Sequence, residues 1–548
     1  MTASILGAFQ LPALINEPFT TYAPGSKDRQ ALKTVLADLK ANAPYTVLPN
    51  VDGENIQTGS EAKQISPFDH SLILANYQQA DTKLVKQAID GALEAKKAWS
   101  RTSLHDRAAI FYRGASLLQN EYRNQMMAAT MIGQGKNAYQ ADIDCVAESI
   151  DFLKTFPALA EELYKGQPPF NMPGVWNSRS EQRPIDGFVY AISPFNFTAL
   201  AVNLVLAPII VGNVVVWKPS PGAMYSSWLF NKIMIEAGLP KGVLQFLPGD
   251  AELVTDEVFE SCDLGGLHFT GSTAVFKSLM AKIGNKMDLW RSYPRIVGET
   301  GGKNYHLLHP TADVRNAALK TVRAAFEYQG QKCSACSRVY IPSSLADDFI
   351  GILTEETKKL SMGDGFTDFV GPVISKFAFD RVSSYITEAS DNAQIEILEG
   401  GQCDGSKGYY IRPTVLLAKD PQSRFMREEI FGPVLTLYVY QDNEYGTDLF
   451  RLIDETTDYA LSGALFANDR LAIVEATEEL RFSAGNFYIN DQCTGAMPGH
   501  QPFGGSRASG TNDKAGSSTL LQRFLSPRTI KENFGRIDDV LYPSNLGD

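Results

Sequence analysis

The chain has 548 residues, 44% of them hydrophobic, and a formal net charge of -12. That length exceeds one ordinary domain and allows two with well-buried cores. The acidic balance, with no basic run carrying interleaved aromatics, excludes nucleic acid as a partner and leaves any anionic substrate to local donors rather than to the overall field.

In chain order, Met1 to Asn16 is apolar but has no basic start, no small-residue cleavage site and no Arg, so it reads as neither a secretory signal nor an ordinary mitochondrial presequence. From Thr82 to Phe156 apolar residues recur every three or four positions, which predicts consecutive amphipathic helices. Asn171 to Gly187 is polar and punctuated by Pro173, Gly174 and Pro184, predicting a projecting hairpin. A strand at Phe188 to Ser193, the loop Pro194-Phe195-Asn196, a helix from Ala199 and a strand at Asn213 to Lys218 follow. The apolar stretch Ala199 to Val216 contains Asn203, Pro208 and Asn213, so it reads as a buried helix feeding a strand, not a membrane span. The rhythm continues through a helix at Ser227 to Ala237 and strands at Val243 to Pro248 and Gly266 to Thr270, as in an α/β doubly wound parallel sheet of the nucleotide-binding type. After Gly298, where a domain boundary is expected, come a helix at Val314 to Tyr328, a strand at Arg338 to Ile341 and a helix at Leu345 to Leu360. Asn533 to Asp548 reads as a surface tail.

Six cysteines, Cys145, Cys262, Cys333, Cys336, Cys403 and Cys493, are too sparse for a disulfide framework and favour a reducing compartment. Cys333 and Cys336 form a CxxC, but no second CxxC appears, and His306 with His309 lacks a partnering carboxylate; no metal is assigned. Cys333 lies in a polar, small-residue turn between helix and strand, where backbone amides and Lys332 are expected to lower its pKa. Glu299 lies beside Gly301 and Gly302 at the proposed junction; a solvated surface carboxylate is the ordinary alternative.

Seven segments, in order, resemble those of the aldehyde dehydrogenase superfamily: Pro194-Phe195-Asn196, Trp217-Lys218-Pro219-Ser220, Phe269-Thr270-Gly271-Ser272, Gly298 to Lys303, Gly330-Gln331-Lys332-Cys333, Glu428 to Pro433 and Pro502-Phe503-Gly504-Gly505. The resemblance implies a Rossmann-type NAD domain (1–170 and 192–298), an α/β catalytic domain (299–524), and an oligomerisation hairpin with tail (171–191 and 525–548). It implies Cys333 as nucleophile, Asn196 with the Cys333 amide as oxyanion hole, and Glu299 as the base that deacylates a thioester. For NAD it implies Lys218 on the adenine ribose, Gly271 and Ser272 opening a helix toward the pyrophosphate, and Glu429, Phe431, Pro194 and Phe195 around the nicotinamide half. Two departures stand out: Phe276 where many members carry glycine, and Pro221 where a ribose-discriminating Glu is common, which leaves NADP use open.

Within the superfamily, Ile-Ser-Pro-Phe-Asn-Phe-Thr-Ala, Gly-Gln-Lys-Cys-Ser-Ala-Cys-Ser-Arg, Gly-Asn-Phe-Tyr-Ile-Asn-Asp and Pro-Phe-Gly-Gly-Ser-Arg-Ala-Ser-Gly-Thr-Asn-Asp are similar to the branch acting on L-glutamate γ-semialdehyde, formed from pyrroline-5-carboxylate in proline catabolism. That resemblance implies Ser334 and the loop Thr494-Gly495-Ala496 on the substrate carboxylate, Phe197 and Phe503 about its aliphatic chain, and Glu148 near its amine, with Lys332 beside them. Some relatives have Ser at the Ala496 position. It also implies a homodimer or higher homo-oligomer, contact with a proline dehydrogenase, and the mitochondrial matrix, or the cytoplasm in a prokaryote. The competing readings are a dehydrogenase for succinic semialdehyde or another aldehyde, and a catalytically silent NAD-binding scaffold.

Overall fold

In the computed structural model, which describes residues 11–547, the first sheet is built on β1 (Phe188–Ile192), β2 (Val215–Lys218), β3 (Leu244–Phe246), β4 (Leu264–Thr270) and β5 (Arg295–Glu299). Every residue of β2, β3 and β4 is buried, as in parallel strands covered by helices on both faces. The spatial order is β5-β4-β1-β2-β3, extended by the two-residue strands Asn50–Val51 and Glu54–Asn55. The chain runs outward from β1 to β3 and then returns to the far side of β1. This reversal opens a crevice at the carboxyl ends of β1 and β4, where such sheets receive ligands.

The helix after β1 is Thr198–Ile210, wholly buried, so Asn203 and Pro208 are core positions, and Asn213 is buried beyond its end. No helix of the described residues is long and apolar enough to cross a membrane. The periodic segment after Thr82 forms Thr82–Trp99, Leu104–Asn120, Arg123–Gln134 and Glu148–Lys165, the last entered through a π-helical stretch, Asp142–Ala147, that buries Asp142, Asp144 and Cys145. Most of the reading of Met1 to Asn16 falls on residues 1–10, outside the described residues.

A second sheet contains β6 (Asn304–Leu308), β7 (Cys336–Pro342), β8 (Ile395–Glu399), β9 (Thr414–Ala418), β10 (Val434–Tyr440), β11 (Ser462–Phe466) and β12 (Asn486–Ile489), in the order β8-β9-β10-β7-β6-β11-β12. Only the β8–β9 pairing is antiparallel. β5 and β6 are consecutive in the chain but belong to different sheets, so Thr300 to Lys303 is the bridge between them. Glu299 is the last residue of β5.

Three expectations change. The segment 171–187 is not a local hairpin: Trp176–Pro184 pairs antiparallel with Leu525–Asn533 along its whole length, a ribbon closed by tertiary pairing. Residues 188–191, grouped with it from the sequence, belong to β1 at the centre of the first sheet. The Ser518–Arg523 helix, expected in the 299–524 unit, sends Leu520, Leu521 and then Phe524 into the core of the first sheet.

The entry to β1 depends on Gly187, whose φ is +74° and whose added Cβ would lie 1.8 Å from the Asp263 carbonyl oxygen. Gly174, in the ribbon, has φ +77° and nothing within 4 Å. Gly174→Ala therefore isolates the backbone cost, about 1–3 kcal/mol, whereas Gly187→Ala adds a backbone clash and should lower Tm much further or prevent folding. Equal losses on thermal unfolding would overturn this packing account.

Candidate active site

The helix that precedes Cys333 ends at Phe326, not at Tyr328, because Tyr328, Gln329 and Gly330 take φ of 52°, 56° and 66°. Such a left-handed run persists only where neighbours over-determine it. Tyr328 Oη donates to the Gln134 carbonyl at 2.8 Å, and Gln329 Nε2 donates to the carbonyls of Gly135 and Pro372 at 3.0 and 2.9 Å. A Cβ on Gly330 would lie 2.3 Å from the Gly432 carbonyl. The turn delivers Gln331 to Ala335 across the start of β6. There Asn304 Nδ2 donates to the carbonyls of Cys333 and Ala335, at 2.7 and 2.8 Å, while its Oδ1 accepts from the Ser462 amide at 3.0 Å. Gly302 permits this approach, since a Cβ there would stand 2.3 Å from the Cys333 carbonyl oxygen.

Cys333 is buried, and its Sγ–H donates to Glu299 Oε1 at 3.4 Å. Burial and the neighbouring Glu299 carboxylate push the thiol well above its ordinary range. Burial likewise pushes Glu299 up to about 7, against the opposing pull of the Cys333 hydrogen bond and Lys514. This corrects the expectation that Lys332 lowers the thiol pKa. The Lys332 amine turns to Glu327 at 2.7 Å and Asp144 at 3.5 Å, and those two carboxylates outweigh burial to hold it above its usual range. The resting pair is thus a thiol and an acid whose pKa is raised toward neutrality.

Asn196 Nδ2 donates to the Gln331 carbonyl at 3.1 Å, leaving its second N–H uncommitted. Among the described residues the Cys333 amide has no protein acceptor. One cavity of about 190 Å³ brings Cys333 together with Ser334, Phe197, Phe503 and Glu148. The same cavity is lined by Lys332, Gly495 and Ala496. Ser334 Oγ lies 2.7 Å from Thr494 Oγ1. Gly495 takes φ +94°, and neither its amide nor that of Ala496 meets a protein acceptor among the described residues, so both are available to an anion. Also on the cavity wall, burial and the nearby Asp144 carboxylate push the Glu148 carboxyl well up. Phe197 stands beside two cations, with Lys136 Nζ 4.5 Å and Lys332 Nζ 5.6 Å from its ring centre.

The sequence-predicted cofactor residues gather at the carboxyl ends of the first sheet. Pro194 and Phe195 follow β1 and Lys218 ends β2, where its amine makes no hydrogen bond to a described residue and burial draws its pKa down to about 8. Ser272 caps the Thr273–Gly284 helix by accepting from the Val275 amide at 3.4 Å, and the amides of Thr273 and Ala274, like that of Ser272, meet no acceptor among the described residues. The Gly271 amide is not among them: it donates to the Glu299 carbonyl at 3.1 Å. Phe276 fills the space against Gly298, where a Cβ would lie 2.2 Å from its ring, and stacks on Phe269 at 5.5 Å. Pro221 opens a short 3-10 turn after β2. Glu429 Oε1 accepts from the Gly302 amide at 2.9 Å, and Phe431, at φ +53°, sets its ring edge-on to Phe195 at 6.1 Å. Unpaired helix-end amides, an unpartnered lysine and a carboxylate at one crevice fit a dinucleotide.

Sequence reasoning missed Asn304, Asp144 and Glu327, which hold the site from behind, and Lys303, whose buried amine has no hydrogen-bond partner and is drawn down to about 7 by burial and Arg338. The available signal was the Gly301-Gly302 pair followed by a polar residue opening an apolar strand, which flags a close backbone passage.

Comparison with known proteins places these features in context. Residues 30–530 match the aldehyde dehydrogenase family. The chain is 51% identical to the mitochondrial delta-1-pyrroline-5-carboxylate dehydrogenase of Emericella nidulans, over 99% of this chain and 97% of that protein. It is similar, with a TM-score of 0.94 and 41% identity over 99% of this chain and 100% of the other, to the crystal structure of the Mycobacterium tuberculosis delta-pyrroline-5-carboxylate dehydrogenase bound with NAD. It also resembles proline utilization A of Bdellovibrio bacteriovorus, with a TM-score of 0.90 and 30% identity over 95% of this chain but 53% of that one.

The buried Glu299 carries a pH signature in stability. Its folded pKa lies above the unfolded value, so the folded state binds the extra proton between about 4.5 and 7, and the cost of the buried charge is complete above that window. Glu299→Gln should therefore raise Tm progressively more from pH 5 to pH 8. A gain independent of pH would remove the buried-charge assignment.

Proposed function

The chain belongs to the aldehyde dehydrogenase family, and on that premise we propose that it oxidises L-glutamate γ-semialdehyde, released from pyrroline-5-carboxylate, to L-glutamate with NAD, as its similar proteins' names imply. The observation that carries this reading is the cavity beside Cys333, with free amides and hydroxyls at one side and the Glu148 carboxyl among its other walls. A substrate with a carboxylate, an amine and a short aliphatic chain satisfies both; an aliphatic aldehyde satisfies neither and leaves the polar walls unpaired. Succinic semialdehyde offers a carboxylate and nothing for Glu148.

In the proposed mechanism the Cys333 proton passes to Glu299 over the existing 3.4 Å contact, and the sulfur attacks the aldehyde carbon. The second Asn196 N–H and the Cys333 amide stabilise the oxyanion as it forms. Lys218, the Thr273 and Ala274 amides and Glu429 would hold NAD at the crevice, where it would serve as acceptor for the hydride leaving the aldehyde carbon. Glu299 gives that proton up to solvent as the thioester forms and, ionised again with a pKa near neutrality, takes a proton from the water that releases the acid from the sulfur; it then returns this proton to the departing Cys333 thiolate. Phe197 and Phe503 enclose the methylenes, and Ser334, Thr494, Gly495 and Ala496 hold the carboxylate.

The ribbon of Trp176–Pro184 and Leu525–Asn533, with Phe170, Met172 and Phe534 exposed beside it, is proposed to pair with a second copy of the chain. The mitochondrial matrix is proposed from the name of the Emericella relative. Contact with a proline dehydrogenase is proposed because proline utilization A carries a comparable unit in only 53% of its length.

The decisive assay compares kcat/KM for pyrroline-5-carboxylate, succinic semialdehyde and propanal by NAD reduction, repeated with NADP. We expect a clear preference for the first with NAD; preference for propanal would overturn the substrate reading. Cys333→Ala should abolish turnover while retaining NAD binding, and near wild-type rates would remove it as nucleophile. Because Glu299 acts when ionised, kcat should fall as pH drops through about 7, and a flat profile from pH 6 to 8 would count against Glu299 as the base.

A further inference from the structure

Behind the wall of the cavity lies a second buried sulfur cluster that the proposed chemistry does not use. Cys336, the first residue of β7, and Cys493, beyond β12, place their Sγ atoms within 4.8 Å of each other and of a His306 ring nitrogen. Cys336 is 1% and Cys493 0% exposed, and all six cysteines are free thiols. The cluster looks like part of a metal site, but the ring is committed elsewhere. Thr321 Oγ1 donates to the Ala317 carbonyl, so it accepts from His306 Nδ1 at 2.8 Å, and His306 Nε2 accepts from the Cys493 amide at 3.2 Å. No ring lone pair remains to face an ion, and the two adjacent thiols each donate to a carbonyl, Cys336 to Arg338 at 3.6 Å and Cys493 to Ser334 at 3.4 Å.

We propose that Cys336 and Cys493 are a redox pair that closes to a disulfide with hydrogen peroxide and thereby restrains the substrate-carboxylate loop. Cys493 Sγ–H points to the Ser334 carbonyl at 3.4 Å, and the next residue, Thr494, meets the Ser334 hydroxyl. A bond at Cys493 therefore acts on both sides of the carboxylate clamp. Burial raises the Cys336 thiol, with Cys493 adding to the effect; for Cys493 burial is outweighed by the Cys336 hydrogen bond together with the neighbouring His306, and its sulfur is the one beside the clamp, so the first oxidation is placed at Cys493. Its thiolate attacks one peroxide oxygen, the O–O bond breaks, and the leaving hydroxide becomes water, giving a sulfenic acid. The Cys336 sulfur then displaces that hydroxyl; the S–S bond forms, the S–O bond breaks, and the Cys336 proton leaves in a second water. The two thiols are oxidised by two electrons and the peroxide is reduced to two waters. Closure requires the sulfurs to approach from within 4.8 Å to about 2.05 Å.

The pairing is testable without reference to substrate. Full-length Cys333→Ala protein is treated with hydrogen peroxide, its remaining thiols are blocked, and its peptides are mapped by mass spectrometry before and after dithiothreitol. The expected result is a reducible link between the peptides bearing Cys336 and Cys493, lost in Cys336→Ser and in Cys493→Ala. Oxidation of exposed Cys403 with both buried thiols still reduced would overturn it, as would a link from either one to another cysteine. The effect on the loop rests on the proposed substrate and is read separately. In the Cys333-containing enzyme, closure should raise KM for pyrroline-5-carboxylate several-fold with reversal by dithiothreitol, whereas oxidation at Cys333 lowers kcat. A link that forms with KM unchanged would overturn the coupling to the loop.

Discussion

The site is organised by the way Asn304 grips the loop that carries Cys333. Its amide donates to the turn carbonyls of Cys333 and Ala335, and its oxygen accepts from β11, so three segments distant in sequence share one buried side chain. The grip requires two backbones to pass closely at Gly302, and that passage lies on the bridge between the two sheets. Glu299 at one end of the bridge belongs to the first sheet, and Asn304 at the other belongs to the second. The distance from acid to thiol is thus set by how the sheets dock.

That docking also sets the electrostatics. A net charge of -12 works against an anionic substrate approaching the protein, and the cavity answers with neutral donors instead of free cations. Its lysines are already engaged, Lys332 by Glu327 and Asp144, and Lys136 by Asp144. Removing one member of such a buried set leaves a partner uncompensated, so these charges shape the wall rather than titrate freely. Cys333 is buried and Glu299 half-buried beside it, and the desolvation of each discourages its ionisation until a proton can move between them.

How much of this was legible beforehand differs by element. Strands β1, β2 and β4 announced themselves as short apolar runs between loop signals, and the helices after Thr82 by their three-to-four periodicity. The ribbon did not: Trp176–Pro184 alternates in burial like a strand of any two-layer sheet, and its partner lies some 340 residues away. Local pattern carries no information about such pairing. The helix before Cys333 was read two residues too long because Tyr328 and Gln329 are ordinary residues forced left-handed by contacts with Gln134, Gly135 and Pro372.

The sequence by itself determined the chemistry on offer: a cysteine in a polar turn, a carboxylate beside paired glycines, an amide-rich loop, and motifs in the order of one family. Those are properties of residue type and spacing, and they survive without coordinates. Only the tertiary structure decided what state those groups rest in. The adjacent Lys332 serves two carboxylates and not the thiol, Gly271 serves a carbonyl and not a phosphate, and Cys336 faces Cys493 across a gap of 157 residues in sequence. Protonation, donor availability and thiol pairing depend on burial and on distances between segments remote along the chain, and no local pattern encodes either.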